Sequence, residues 1–228
     1  MSGVIVVNGY GPGISNAVAR RFGREGFAVA LVGRTEERLA KGAAALEAEK
    51  IRAKAFKCDV GDADAVRAML ASVRSSLGPI EVVHWNAYVG AAGDLTTAPA
   101  SEVHAVLDVM VHGLLAAVQD ALPDLEKSKG AVLVTGGGLS KYDPATDEIA
   151  GSWNAMGLAL GKAAQHKLVG LLNKKLAARG VFVGEVTVLG LVKGTLFDSG
   201  NATIDADTIA ERFYELFRSR KEPYAEVG

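Results

Sequence analysis

Cysteine is nearly absent: the 228 residues contain one, Cys58. A lone thiol excludes an internal disulfide and suits a reducing compartment. An excess of charge of either sign is missing too, with 25 basic residues against 26 acidic ones. A near-neutral chain has no electrostatic reason to hold nucleic acid or an anionic membrane. The first residues lack a basic stretch followed by an apolar run, so no signal peptide is expected. No segment is read as long and apolar enough to span a bilayer, and a cytoplasmic location is expected. Repeats, low-complexity tracts, linkers and metal-binding patterns are not found. Hydrophobic residues make up 49% of the chain, enough for a large core, and residues 1–228 read as one domain.

What is present is a regular alternation. Candidate strands are Val4–Val7, Ala28–Val32, Ala53–Cys58, Glu81–Trp85, Ala131–Thr135 and Val181–Leu189. Several are almost continuously apolar, as strands covered by helices on both faces must be. Between them, Val66, Met69, Leu70 and Val73 recur at helical spacing after a cap at Asp62. Val103, Val106, Leu107, Met110, Leu114 and Val118 do the same, as do Ala164, Leu168, Leu171 and Leu172. The fold class is therefore α/β, a three-layer α/β/α arrangement around a doubly wound parallel sheet of six to seven strands. In such a sheet the ligand lies beyond the carboxyl ends of the strands, where the strand order reverses.

The first strand end carries the strongest signal. Val4-Ile5-Val6-Val7 runs into Asn8-Gly9-Tyr10-Gly11-Pro12-Gly13-Ile14-Ser15, and apolar Val18, Ala19 and Phe22 follow on one helix face. Glycines let the backbone approach a diphosphate, and the amides of a helix start point at its charge. Gly9, Tyr10, Gly11, Gly13 and Ile14 are thus read as a dinucleotide cradle. After the second strand stands Arg34, where an acidic residue would bond an adenosine ribose. A guanidinium there attracts a 2′-phosphate instead, which favours NADP(H) over NAD(H). The bland alternative is a solvated arginine before a helix over Glu36–Ala45.

These strand ends, taken in order, resemble the short-chain dehydrogenases/reductases over nearly the whole chain, a family with a Rossmann-type fold. The family's Thr-Gly-x-x-x-Gly-x-Gly motif matches Gly9 and Gly13, with Asn8 for the threonine and Ser15 for the last glycine. Its Asp-Val pair near the adenine matches Asp59-Val60, and its Asn-Asn-Ala-Gly is reduced to Asn86-Ala87. Its active-site lysine matches Lys162, followed by Ala163-Ala164. Its late Pro-Gly turn becomes Leu189-Gly190, with Val192 placed for a backbone contact to the nicotinamide carboxamide. The resemblance implies that Lys162 holds the coenzyme ribose and takes part in catalysis. It also implies a lid over Leu191–Ala206, short here, and a last strand of which the polar tail Arg218–Gly228, ending in Pro223–Gly228, forms all or only part.

Other catalytic groups of the family are missing. The tyrosine that transfers the proton is Leu158, the serine falls on Gly136 or Gly137, and the helical asparagine falls on Met110. Leucine moves no proton, and general acid–base assistance is worth about 10²–10⁴ in rate. Helical spacing places Asn154, Leu158 and Lys162 on one face if the helix already runs at Asn154, making Asn154 a candidate to touch substrate. Capping near Ser152 is its competing role. Ser140 and Tyr142 are candidates to fold over the nicotinamide, with a polar loop over Lys141–Glu148 as the plainer reading. Tyr88 is read as a site residue or a wall, His84 as a satisfied core residue, and His112 as a packing or interface residue.

Three functions compete. An NADP(H)-dependent oxidoreductase acting on a small carbonyl or alcohol, with a non-standard proton donor, leads. A dinucleotide-binding or regulatory protein without catalysis follows, then a non-redox lyase or isomerase. The helix around Met110 is apolar on more than one side, and the resemblance implies a homodimer or homotetramer paired through it and the lysine helix.

Overall fold

Runs of Val, Ile, Leu and Ala become inner strands because helices cover both their faces and leave no side needing polar residues. The computed structural model describes residues 3–195 and 197–228. The first half contains β1 (Val4–Asn8), α1 (Ile14–Arg24), β2 (Ala28–Gly33), α2 (Glu36–Ala48), β3 (Ala53–Lys57), α3 (Ala63–Leu77) and β4 (Ile80–Trp85). Next come α4 (Ala100–Leu107), a π-helical turn (Asp108–His112), α5 (Gly113–Ser128) and β5 (Ala131–Gly137). The remainder is α6 (Pro144–Ser152), α7 (Met156–Leu176), β6 (Phe182–Val188), α8 (Ala206–Ser219) and β7 (Tyr224–Val227).

All seven strands are parallel, in the order β3-β2-β1-β4-β5-β6-β7. The doubly wound α/β sheet is thus as expected, with seven strands, the last formed by only four residues of the tail. One core lies under α3, α5 and α7, with Val6, Val83, Val134 and Val183 from the sheet. The other lies under α1, α2 and α8, with Ile5, Leu31, Leu133 and Phe182. Strand order reverses between β1 and β4, so the crevice opens beyond Asn8 and Trp85.

Local chemistry sets the elements. The Asp62 carboxylate accepts from the amides of Asp64 and Ala65 and starts α3, as its position predicts. The polar loop expected over Lys141–Glu148 is corrected: Asp143 caps Thr146, Pro144 takes the first turn, and α6 forms. The expectation that no segment has membrane-spanning length is also corrected. Ala100–Ser128 is continuously helical, 29 residues long with a mean hydropathy of 1.5 in its most apolar stretch. Its apolarity serves packing: Val106, Met110, Leu114, Ala117, Ala121 and Leu125 are fully buried.

Candidate active site

The glycine turn is built by two close approaches. Gly9 has φ +77°, and a Cβ there would stand 2.6 Å from the backbone of Ala87 at the end of β4. Only glycine allows both. Asn86 completes the join, its amide donating to the Asn8 carbonyl at 3.0 Å and its side chain to the Gly9 carbonyl at 3.4 Å. Gly11 faces open space, with nothing within 4 Å of the point where a Cβ would stand. The amides of Gly13, Ile14 and Ser15 have no acceptor among the described residues. Unpaired donors at a helix start, with open space at Gly11, are the arrangement that suits an anion. Ser15, in the place of the family's last glycine, is buried inside the turn. Its hydroxyl accepts from the Gly11 amide at 2.8 Å. Tyr10 turns away, buried against Gly42 of α2 with its hydroxyl donating to Asn16. Burial raises its pKa, partly offset by Arg20.

The other cofactor candidates follow the ends of β2, β3 and β6. Arg34 is exposed just past β2 and has no ion-pair partner among the described residues. Asp59 is exposed and accepts from the Gly61 amide at 3.0 Å, while Val60 is buried. Beyond β6, exposed Gly190 leads to Val192, whose carbonyl accepts from Thr195 Oγ1 at 2.7 Å and whose amide is left unpaired among the described residues. Thr195 and Phe197, beyond Val192, approach residues of the crevice. The Thr195 methyl lies where a side chain on Gly13 would be, and the Phe197 and Tyr88 rings meet at 5.9 Å. The Asp198 carboxylate fastens the segment by accepting from the amides of Gly194 and Gly200, each at 2.9 Å.

Lys162 is buried at 8% exposure under the end of β5. Its Nζ donates to the Thr135 carbonyl at 2.7 Å and to Gln165 Oε1 at 3.1 Å. Burial pulls its pKa down to about 8, against an opposing pull from the Glu185 charge. Gly137 lies over the lysine stem, with a Cβ position 3.9 Å from its carbons, so a serine side chain has room there. At Gly136 it has none, because the Glu185 carboxylate fills that space. Leu158 and Met110 share one small apolar cluster with Ala92 and Val106, and Met110 packs on Gly161. The wall at the two positions that the resemblance assigns to a tyrosine and an asparagine is apolar.

The remaining catalytic candidates make no hydrogen bond to Lys162 among the described residues. Asn154 lies outside α7 in a turn with φ +51° and packs on Gly93, so the expected shared helical face with Leu158 and Lys162 is corrected. That turn exists because the Met156 and Gly157 amides donate to the Gly93 and Ala92 carbonyls, which fixes where α7 begins. Ser152 closes α6 by bonding the Ile149 carbonyl. Ser140 is buried and Tyr142 is 82% exposed. Both border two adjoining cavities of about 310 and 330 Å³, walled on α7 by His166 and by Ala159, Leu160 and Ala163. Lys162, Asn86 and the glycine turn line neither cavity. His112 is exposed and bonds Asp108 at 2.8 Å.

Sequence reasoning missed a buried polar layer beside Lys162. Glu185 on β6 is fully buried, and its Oε1 accepts from Thr187 Oγ1 at 2.7 Å and pairs with His166 Nδ1 at 3.1 Å. The signal was one acidic residue inside the otherwise uncharged Phe182–Val188 strand. His84 is only half satisfied. Its Nε2 meets Thr135 Oγ1 at 3.2 Å, while Nδ1 has no partner among the described residues. Burial, with the Lys162 charge, pushes its pKa down to about 3.

A glycine turn with unpaired amides at the switch point and a buried lysine under β5 are the two main features of this crevice. The family model for short chain dehydrogenases matches residues 3–203. Meso-2,3-butanediol dehydrogenase of Serratia marcescens is 32% identical over 183 residues, covering 80% of this chain and 69% of that protein. A metagenomic short-chain oxidoreductase in complex with NADP superposes with TM-score 0.80 at 23% identity, covering 99% and 95% of the two chains. An NADPH-bound short-chain oxidoreductase of Pseudomonas aeruginosa PAO1, described as containing an atypical catalytic center, superposes with TM-score 0.84 at 21% identity over 98% and 94%. The chain belongs to the short-chain dehydrogenase family.

Proposed function

We propose that this protein is an NADP(H)-dependent oxidoreductase acting on a small carbonyl or alcohol, with Lys162 as the proton-bearing residue in place of the family's tyrosine. The supporting observation is the pairing of a glycine turn at Gly11–Ser15, beyond β1, with a buried ammonium under the end of β5, two strands away. The unpaired amides of Gly13, Ile14 and Ser15 suit a diphosphate, Arg34 a 2′-phosphate, and the Val192 amide a carboxamide. A nicotinamide coenzyme supplies the hydride when bound. Lys162 holds the ribose and protonates the substrate oxygen, a task for which a pKa near neutrality is well matched. This step uses none of Asn154, Ser140 and Tyr142, which make no hydrogen bond to Lys162 among the described residues. A cytoplasmic homodimer or homotetramer, built on one domain, is part of the same reading.

The test follows NADPH absorbance against ketones, aldehydes and enones, and NADP reduction by 2,3-butanediol, chosen because a relative carries that name. Turnover that Lys162→Met abolishes is expected. No turnover, with NADPH demonstrably bound by calorimetry, sinks the redox reading. Arg34→Ala is expected to narrow the preference for NADPH over NADH by about tenfold, the scale of one charge-assisted contact. The apolar cluster at Leu158 and Met110 favours a second reading, coenzyme binding without catalysis. Robust turnover of the unsubstituted protein disposes of it.

A further inference from the structure

The polar layer between β5, β6 and α7 has an unresolved charge balance. Lys162 Nζ carries three donors but meets two neutral acceptors, the Thr135 carbonyl and the Gln165 side chain. Glu185 is fully buried, and its second oxygen has no hydrogen bond among the described residues. Burying an ammonium or a carboxylate this way is costly unless an opposite charge stands nearby. The two groups flank a single peptide unit, Thr135–Gly136. Lys162 bonds the Thr135 carbonyl, and the Glu185 carboxylate occupies the space that the missing Gly136 side chain leaves.

We propose that Glu185 is the buried counter-ion of Lys162, a positioning residue that sets the pH at which the lysine gives up its proton. The proposal rests on Lys162 being the proton-bearing group of the site. No other acidic side chain among the described residues faces this layer from the packed elements. β4 contributes His84, held neutral by burial, and β5 contributes Thr135. β7 contributes Tyr224, whose ring stacks on His166 at 4.4 Å and whose hydroxyl burial keeps protonated. Glu226 of β7 is exposed and pairs with Lys141 at the rim. His166 shares the Glu185 carboxylate from the cavity side, so the pair is not sealed from solvent: its imidazole lines the 310 Å³ cavity beside Thr187 and Ser140.

The experiment is a pH titration of Lys162 by NMR in the unliganded protein labelled with ¹³C-lysine, the resonance being assigned with Lys162→Arg. Glu185→Gln is expected to lower the Lys162 midpoint by about one unit or more, the usual effect of losing one nearby opposite charge. Glu185→Asp keeps the charge and is expected to stay close to the unsubstituted value. The pH limb of NADPH-dependent turnover should move with the midpoint. An unchanged midpoint in Glu185→Gln overturns the proposal. If that variant does not fold, the Glu185 carboxyl resonance of the unsubstituted protein decides: ionised at neutral pH supports the pairing, and protonated overturns it. Coenzyme takes no part in the titration, so failure to bind NADP(H) and failure of this pairing are read separately.

Discussion

At the scale of single residues, the site is a set of substitutions that agree with one another. Leu158 and Met110, which the resemblance sets at the positions of two polar groups, pack in one cluster, and Lys162 is wrapped by neutral acceptors. Restoring the family's groups should therefore cause little structural disturbance. Gly137→Ser has free space above the lysine stem, and half-buried Leu158 leaves an edge from which a tyrosine hydroxyl can reach the crevice. The double variant is expected to reduce a simple ketone about 10²-fold faster than the unsubstituted protein; equal rates with NADPH bound would show that the scaffold has lost more than two side chains. Lys162, Gly9 and Asn86 are legible in the sequence because of their places: Gly9 and Asn86 sit just past apolar strands, and Lys162 precedes a helical apolar pattern. Glu185 is not, since a strand read for its apolar character hides one inward-facing acid. Asn154 leaves its expected face because helical spacing says nothing of a left-handed turn imposed by two carbonyls from another loop.

At the scale of elements, the glycine turn and the end of β4 are one unit. Gly9 combines a positive φ with contact to the Ala87 backbone, so Gly9→Ala should cost about 2 kcal/mol or more in denaturant unfolding. A loss below about 0.5 kcal/mol, the range of ordinary surface changes, would mean the join is looser than these contacts imply. α3 and its Asp62 cap are readable because a carboxylate before an amphipathic run has one local use. α6 is not, although Asp143-Pro144 carries a start signal, because the segment is polar and short enough to pass for a loop. The π-helical turn at Asp108–His112 has no mark in the periodicity. It comes from fitting one long helix around Val60 at Gly113 and around Gly161 at Met110.

At the scale of the whole molecule, strand alternation makes the parallel sheet and its switch point legible, while the polar layer inside it has global consequences. His84 titrates near 3 in the folded protein and near 6.5 when exposed. The unfolded chain therefore binds the extra proton first, and stability falls as pH drops from 6.5 toward 3. His84→Leu should flatten that limb in denaturant titrations across the same window; an unaltered slope would assign acid unfolding to other groups. If the turn takes coenzyme as proposed, the Ser15 hydroxyl makes capture at Gly11 an exchange rather than an addition. An incoming phosphate finds the Gly11 donor already engaged by a neighbour in its own turn. Ser15→Gly should then tighten NADPH binding severalfold by fluorescence titration, and weaker binding would mean that the hydroxyl organises the loop rather than rivalling the guest.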